Sequence, residues 1–411
     1  MAPEKWQQKT LDQVAVGKLT NGAFNDPKMV GKGYRLINVV DLYNPFEIDV
    51  TRLKRLDLPE KDFQKYQVSK GDLLFTRSSL KLEGIAQCAR FTQECNDVIF
   101  DCHIMRLRPN KALVDSNFLY EYCSSYPAKK HFMRFAKTGT MTTIDQAGIS
   151  TLIVPTPPLP EQKKIAQILS TWDQAITATE RLLENSQQRK KGLMQQLLTG
   201  KKRLPGFEGE WEEGRLGDLC KFRGGSAFKE IHQGSQSGEL PFIKVSDMNL
   251  PGNEIYIQSA NNWVSQNDAK AMRAKSFPEG SIVFAKVGAA LLLNRRRILT
   301  RATIIDNNMM AALPEDNASR NFLYQVLLMI DFAKFVQDGA VPSINQSDLS
   351  SFKIKFPSLK EQTHIAEILD KSDEEVAQLQ KLIDRLKQEK KALMQQLLTG
   401  KRRVQVETEA A

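Results

Sequence analysis

The stretch KKGLMQQLLTGK at residues 190–201 returns as KKALMQQLLTGK at 390–401, changed only where Gly192 becomes Ala392. Upstream, EQKKIAQIL at 161–169 is answered by EQTHIAEIL at 361–369. Both pairs share one offset of 200 residues, so no insertion lies between them. Chance does not give two such matches in one register, and the chain is read as an internal duplication. The repeat extends upstream more loosely: Trp6 and Leu11 match Trp211 and Leu216, RLINVVD (35–41) matches PFIKVSD (241–247), and GDLLFTRSS (71–79) matches GSIVFAKVG (280–288). NFLY at 117–120 recurs at 321–324, and KTGTMTTIDQAGIS (137–150) is answered by QDGAVPSINQSDLS (337–350). The drifting offset places insertions in loops between matched elements.

The conserved tails carry a helix pattern. From Glu161 to Thr199 there is no proline, and Ile165, Leu169, Trp172, Ile176, Leu183, Leu193 and Leu197 fall on one four-three series. The second tail repeats it with Ile365, Leu369, Val376, Leu379, Ile383, Leu386, Leu393 and Leu397. Such a series over more than four heptads is a coiled-coil seam. Pro160 with Glu161, and Leu359-Lys360 after Pro357, mark the starts, while Gly200 and Gly400 supply C-caps. A helix of about 39 residues is a rod of roughly 58 Å, longer than a domain of about 155 residues is wide. Packing of each helix on its own domain alone is therefore rejected in favour of antiparallel pairing, which lets each repeat make the same contacts with the other.

The remaining segments mix period-two apolar stretches (Ile282–Phe284, Ile304–Ile305, Leu152–Val154) with helical ones such as Asn117–Ser124. The expected fold is α+β: two similar mixed domains separated by two long antiparallel helices in a coiled coil, with a pseudo-two-fold internal repeat. The expected boundaries are 1–158 for the first domain, 159–203 for its helix, 204–357 for the second domain, 358–403 for its helix, and 404–411 for a disordered tail.

A chain of 411 residues exceeds one ordinary core. No apolar run approaches a bilayer span, and the first residues lack a secretory layout. Five cysteines without a CxxC pair are expected as reduced thiols in a cytoplasmic protein, with no metal site. His103, His131, His232 and His364 are read as ordinary residues without Cys or Asp companions. The net charge of +10 favours a polyanionic partner.

Leu-Pro-Glu-Gln ahead of a long helix, the LMQQLLTGK endings, and the linker RLPGFEGEW at 203–211 resemble type I restriction-modification specificity subunits. The resemblance spans residues 1 to about 403. GDLLFTRSS and GSIVFAKVG look like a recurrent segment of that family, although the first has Ser78-Ser79 where Gly is more usual and the second has Ser281 in place of Asp. It implies two target-recognition domains, each reading one half of a split and asymmetric double-stranded DNA target, with the helices fixing the spacer. It further implies two adenine methyltransferase subunits and two ATP-driven restriction subunits as partners. S-adenosylmethionine, ATP and Mg are then expected on the partners, and no cofactor on this chain.

Motifs for chemistry are missing. Asn44-Pro45-Phe46 is one proline short of a base-flipping methyltransferase segment and is read as a turn. Gly200-Lys201 ends a helix, so it is no phosphate loop. Glu161-Gln162-Lys163 mimics the end of a nuclease motif but reads as first-turn charge. Catalytic residues are expected to be absent. The DNA-contact candidates are Thr76, Arg77, Ser78, Lys137, Thr138, Thr140, Lys244, Lys286, Arg295, Arg296 and Arg297. Arg77 and Lys286 hold matched positions after a strand, and an Arg can address guanine in bidentate fashion. The Arg295–Arg297 run suits phosphates better than bases. The rival reading is a structural adaptor whose duplicated domains bind proteins and not DNA.

Overall fold

A computed structural model describes residues 6–44, 47–336 and 341–406. The Pro45-Phe46 part of the Asn-Pro-Phe turn, Gln337–Ala340 of the repeat match, and 407–411 of the expected tail lie outside the described residues. The chain divides into two compact units. One holds the chain up to Leu182 together with the chain from Leu379 onward, and the other runs Leu183–Gln378. Each long helix therefore gives its first half to one unit and its second half to the other.

In the first unit a four-stranded antiparallel sheet has the order Thr20–Asn21, Ile104–Leu107, Leu73–Thr76, Cys88–Arg90. Beside it, Val30–Ile37 pairs antiparallel with Lys54–Leu56 and parallel with Val98–Phe100. The strand Leu73–Thr76 is buried on both faces: Leu73 and Phe75 join one apolar core and Leu74 another. A strand placed that way needs a continuous apolar run, which is what LLF supplies. The second unit repeats the plan. Ile282–Ala285 lies between Met309–Pro314 and Arg296–Leu299, with Ile282 and Phe284 facing one core and Val283 the other. A ribbon closes each domain at its ends, Gln7–Thr10 on Ile153–Thr156 and Glu212–Arg215 on Lys353–Phe356. The strands expected at Ile282–Phe284, Ile304–Ile305 and Leu152–Val154, and the helix at Asn117–Ser124, form with ends shifted by a residue or so.

The long helices run Leu159–Leu197 and Leu359–Leu397, 39 residues each. Gly200 and Gly400 follow with φ of 71° and 72°, the left-handed geometry of the expected caps. Within the first unit Glu161 pairs with Arg403, Asp173 with Lys390 and Glu180 with Lys387. Rising numbers on one helix meet falling numbers on the other, so the two run antiparallel. Within the second unit Lys190 with Asp373 and Ser186 with Glu375 keep the same sense. Every apolar seam residue named from the sequence is buried or half-buried.

The seam does more than join helix to helix. Ile165 and Leu169 enter the core of the first domain together with Leu397 and Leu398. Ile365 and Leu369 enter the second core with Leu197 and Leu198. Each helix thus starts on its own domain and ends on that of the other repeat. Val404 also packs against the first core, so contacts continue one residue into the expected tail.

The Glu-Gln pair at each helix start is a fastening. Gln162 accepts from Asp115 N at 2.9 Å and donates to Leu113 O and Pro157 O at 3.1 and 2.8 Å. Gln362 does the same with Ser319 N, Asn317 O and Pro357 O at 2.9, 3.1 and 3.0 Å. Glu161 is buried, accepting two bonds from Arg403 at 2.6 and 2.7 Å and one from the Trp6 indole at 3.2 Å. Glu361 accepts two from Arg203 at 2.8 Å. Glu161 is a first-turn charge of its helix, as read from the sequence, and its carboxylate also ties the tail of one repeat to the helix start of the other.

Candidate nucleic-acid interface

Equivalent polar sites form where the central strand of each domain ends. Arg77 follows Leu73–Thr76, and its backbone is pinned from two sides: its N–H donates to His103 O at 2.8 Å, and its carbonyl accepts from Ile144 N at 3.0 Å. Lys286 after Ile282–Ala285 is pinned identically, to Asn308 O at 2.8 Å and from Ile344 N at 3.0 Å. Backbone fixed this way aims the side chain from a rigid frame, as a reader of base edges requires. The Arg77 side chain is exposed and that of Lys286 half-buried.

Around Arg77, Ser78–Ser79 pairs with Thr142–Thr143. Reciprocal bonds between Lys137 and Thr143 at 2.8 and 2.9 Å close a loop that presents Thr138 and Thr140 to solvent. The Lys137 ammonium meets Asp145 at 3.0 Å. Asp145 is held below the usual carboxylate range, first by the Gly148 N–H and then by Lys137. Lys137 thus reaches solvent with its charge partly matched.

Around Lys286, Lys244 bonds to Gln233 Oε1 at 2.5 Å and lies 5.4 Å from the Phe228 ring centre. Burial pushes the Asp306 carboxyl up, against the pull of Asn308, Lys244 and Lys286. Both lysines therefore lie near one carboxylate, leaving a net positive site. Arg295 is exposed and bonds to the Asn249 side chain. Arg297 is half-buried, with Nε donating to Met248 O at 3.2 Å.

Two candidates are withdrawn by burial. Arg296 is fully buried, stacked 3.7 Å from the Phe332 ring centre and donating to Asn294 Oδ1 and Ile330 O at 3.1 and 2.6 Å. Burial lowers its pKa to about 10. It is a core residue because the strand Arg296–Leu299 alternates faces and sends this side chain inward. Thr76 is likewise fully buried, its hydroxyl donating to Gly84 O at 3.2 Å and accepting from Gln87 N at 2.9 Å.

The sequence reading missed the turns that pin these sites. Asp101-Cys102-His103 and Asp306-Asn307-Asn308 occupy the same place, each with the Asp accepting from the N–H two residues on at 2.8 Å. Aligning VIFDCHI with TIIDNNM would have found them. The reading of His103 as lacking Cys or Asp companions is corrected: carboxylate, thiol and imidazole donors of 101–103 lie within 4.8 Å of one another.

Comparison with known proteins gives a consistent result. The type I restriction modification DNA specificity domain matches residues 3–185 and again 208–388. A protein of Methanocaldococcus jannaschii, provisionally described as the MjaX type I restriction enzyme specificity subunit, is 26% identical over 420 residues, covering 98% of this chain and 95% of its own. The EcoR124I/EcoR124II specificity subunit of Escherichia coli is 29% identical over 232 residues, 54% of this chain and 55% of that one. The crystal structure of the type I restriction-modification S subunit from M. genitalium superposes with a TM-score of 0.59 at 15% identity, covering 96% of both chains.

Proposed function

The chain belongs to the type I restriction modification DNA specificity family, and from that premise we propose that it reads a bipartite, asymmetric double-stranded DNA target, one half with each domain. The observation that carries this reading is the matched pair Arg77 and Lys286: the same backbone frame holds a different cation in each domain. Equal frames with unequal side chains suit two readers of the same construction facing different bases. An Arg offers a planar fork for guanine, while a Lys offers a point charge. Lys137, Thr138, Thr140, Lys244 and Arg295 are assigned to the phosphate backbone, with Arg297 behind them and Ser78 beside Arg77.

The paired helices set the number of base pairs between the halves, since a duplex returns its major groove to one face only once per turn. Two adenine methyltransferase subunits, and in a restricting assembly two ATP-driven subunits, complete the enzyme in the cytoplasm and carry S-adenosylmethionine, ATP and Mg. The near-identical tails then serve two copies of one partner while the readers diverge.

The test is a footprint and gel shift of the assembly reconstituted with methyltransferase subunits. A protected, split sequence whose recognition in one half changes on Arg77→Ala supports the reading. Equal weakening on every sequence removes the base-reading role of Arg77. Absence of any sequence preference favours the protein-binding adaptor.

A further inference from the structure

We propose that Asp101, Cys102 and His103 form a binding site for a zinc-like transition-metal cation in the first domain only, through a carboxylate oxygen, a thiolate sulfur and an imidazole nitrogen. The three donor atoms lie within 4.8 Å of one another. Around a tetrahedral zinc, with bonds of about 2.0–2.3 Å, ligand atoms stand roughly 3.5 Å apart. Binding has to draw the donors together by about 1 Å. The backbone that carries them is held: Asp101 N donates to Ile37 O at 3.0 Å, Cys102 N to Ala23 O at 2.8 Å, and Arg77 N to His103 O at 2.8 Å.

The second domain provides an internal control. Its Asp306-Asn307-Asn308 turn keeps the Asp-to-N–H bond at 2.8 Å, the same length as in the first domain. The turn therefore demands the aspartate and nothing more. Cys102 and His103, which replace two asparagines, are not explained by backbone geometry. Together they convert an oxygen and amide turn into a set of sulfur, nitrogen and oxygen donors, the mixture that selects zinc over magnesium or calcium. His103 is exposed and Cys102 half-buried, so a cation reaches them from solvent. On binding, the Cys102 S–H bond breaks, a sulfur–metal bond forms, and one proton leaves to solvent. With three protein ligands the fourth position is filled by water, which an acceptor atom of a bound nucleic acid can replace.

The experiment uses the full chain, stripped of metal and kept reduced, titrated with Co²⁺ and then displaced with Zn²⁺. One equivalent of cobalt should bind with a near-ultraviolet thiolate-to-cobalt band that zinc bleaches. Cys102→Ser should abolish the band. The double variant C102N/H103N carries the pair that the second domain already tolerates at this turn, so it should fold with unchanged circular dichroism and bind cobalt at least tenfold more weakly. Equal titrations of the unaltered chain and C102N/H103N, or a band that survives in Cys102→Ser, overturn the proposal. Metal binding is read without DNA, so a failure of the proposed DNA reading leaves this result standing.

Discussion

At the residue scale, the side chains that matter most are those whose company the sequence did not reveal. Glu161 mimics a nuclease motif on paper, yet in the folded chain it holds Arg403 and Trp6. Removing Arg403 leaves a buried carboxylate with the indole as its remaining side-chain partner, whereas Glu161→Gln leaves an arginine that is 42% exposed and can turn to water. Arg403→Ala should therefore cost about 2–3 kcal/mol in urea unfolding and Glu161→Gln about 1 kcal/mol. The reverse order would show that the pair does not hold the tail. Gly200 is a second case. Its φ is 71°, and an added Cβ would meet the Trp211 ring at 3.2 Å. Gly200→Ala should lower stability by about 1–2 kcal/mol through strain and crowding together, and an unchanged urea midpoint would contradict this.

At the scale of elements, the helix seams mix apolar residues, such as the buried Ile176 and Ile383, with charged ones. Lys390 sits on the seam, paired with Asp173 at 2.6 Å and Glu121 at 3.0 Å. In the other repeat Lys190 pairs with Asp373, and Gln325 stands at the position of Glu121. Burial raises Glu121 from 4.5 to about 7, although Lys390 pulls it down. Its folded pKa lies above its unfolded one, so the folded state keeps a proton that the unfolded state has lost. The associated stability is full below about 4.5, falls as pH rises, and is gone above about 7. Glu121→Gln, which copies the second repeat, should flatten that decline and make the chain more stable than the unaltered protein at pH 8, by on the order of 1–3 kcal/mol. Unfolding midpoints at pH 5 and pH 8 measure it, and parallel pH dependences for both proteins would refute it.

At the scale of the molecule, a net charge of +10 and two basic sites make DNA affinity a function of salt. If Lys137, Lys244 and Arg295 touch phosphates, each alanine variant should weaken binding alike on all sequences and reduce the log–log salt slope by about 0.9. A variant that changes preference while leaving the slope intact belongs among the base readers. The isolated chain should transfer no methyl group to DNA, and labelled S-adenosylmethionine with and without methyltransferase subunits checks this.

The sequence by itself determined the duplication, the two 39-residue helices with their glycine ends, the α+β class and the family resemblance. These are legible because they rest on local periodicity and on a chain compared with itself. Tertiary structure alone decided which cations face solvent. Arg295, Arg296 and Arg297 are identical letters, but strand alternation sends the middle one into the core against Phe332. It also decided that each helix ends on the domain of the other repeat, through contacts such as Arg403 with Glu161 that span 242 residues. No periodicity records a partner that distant; it exists only once the chain has closed on itself.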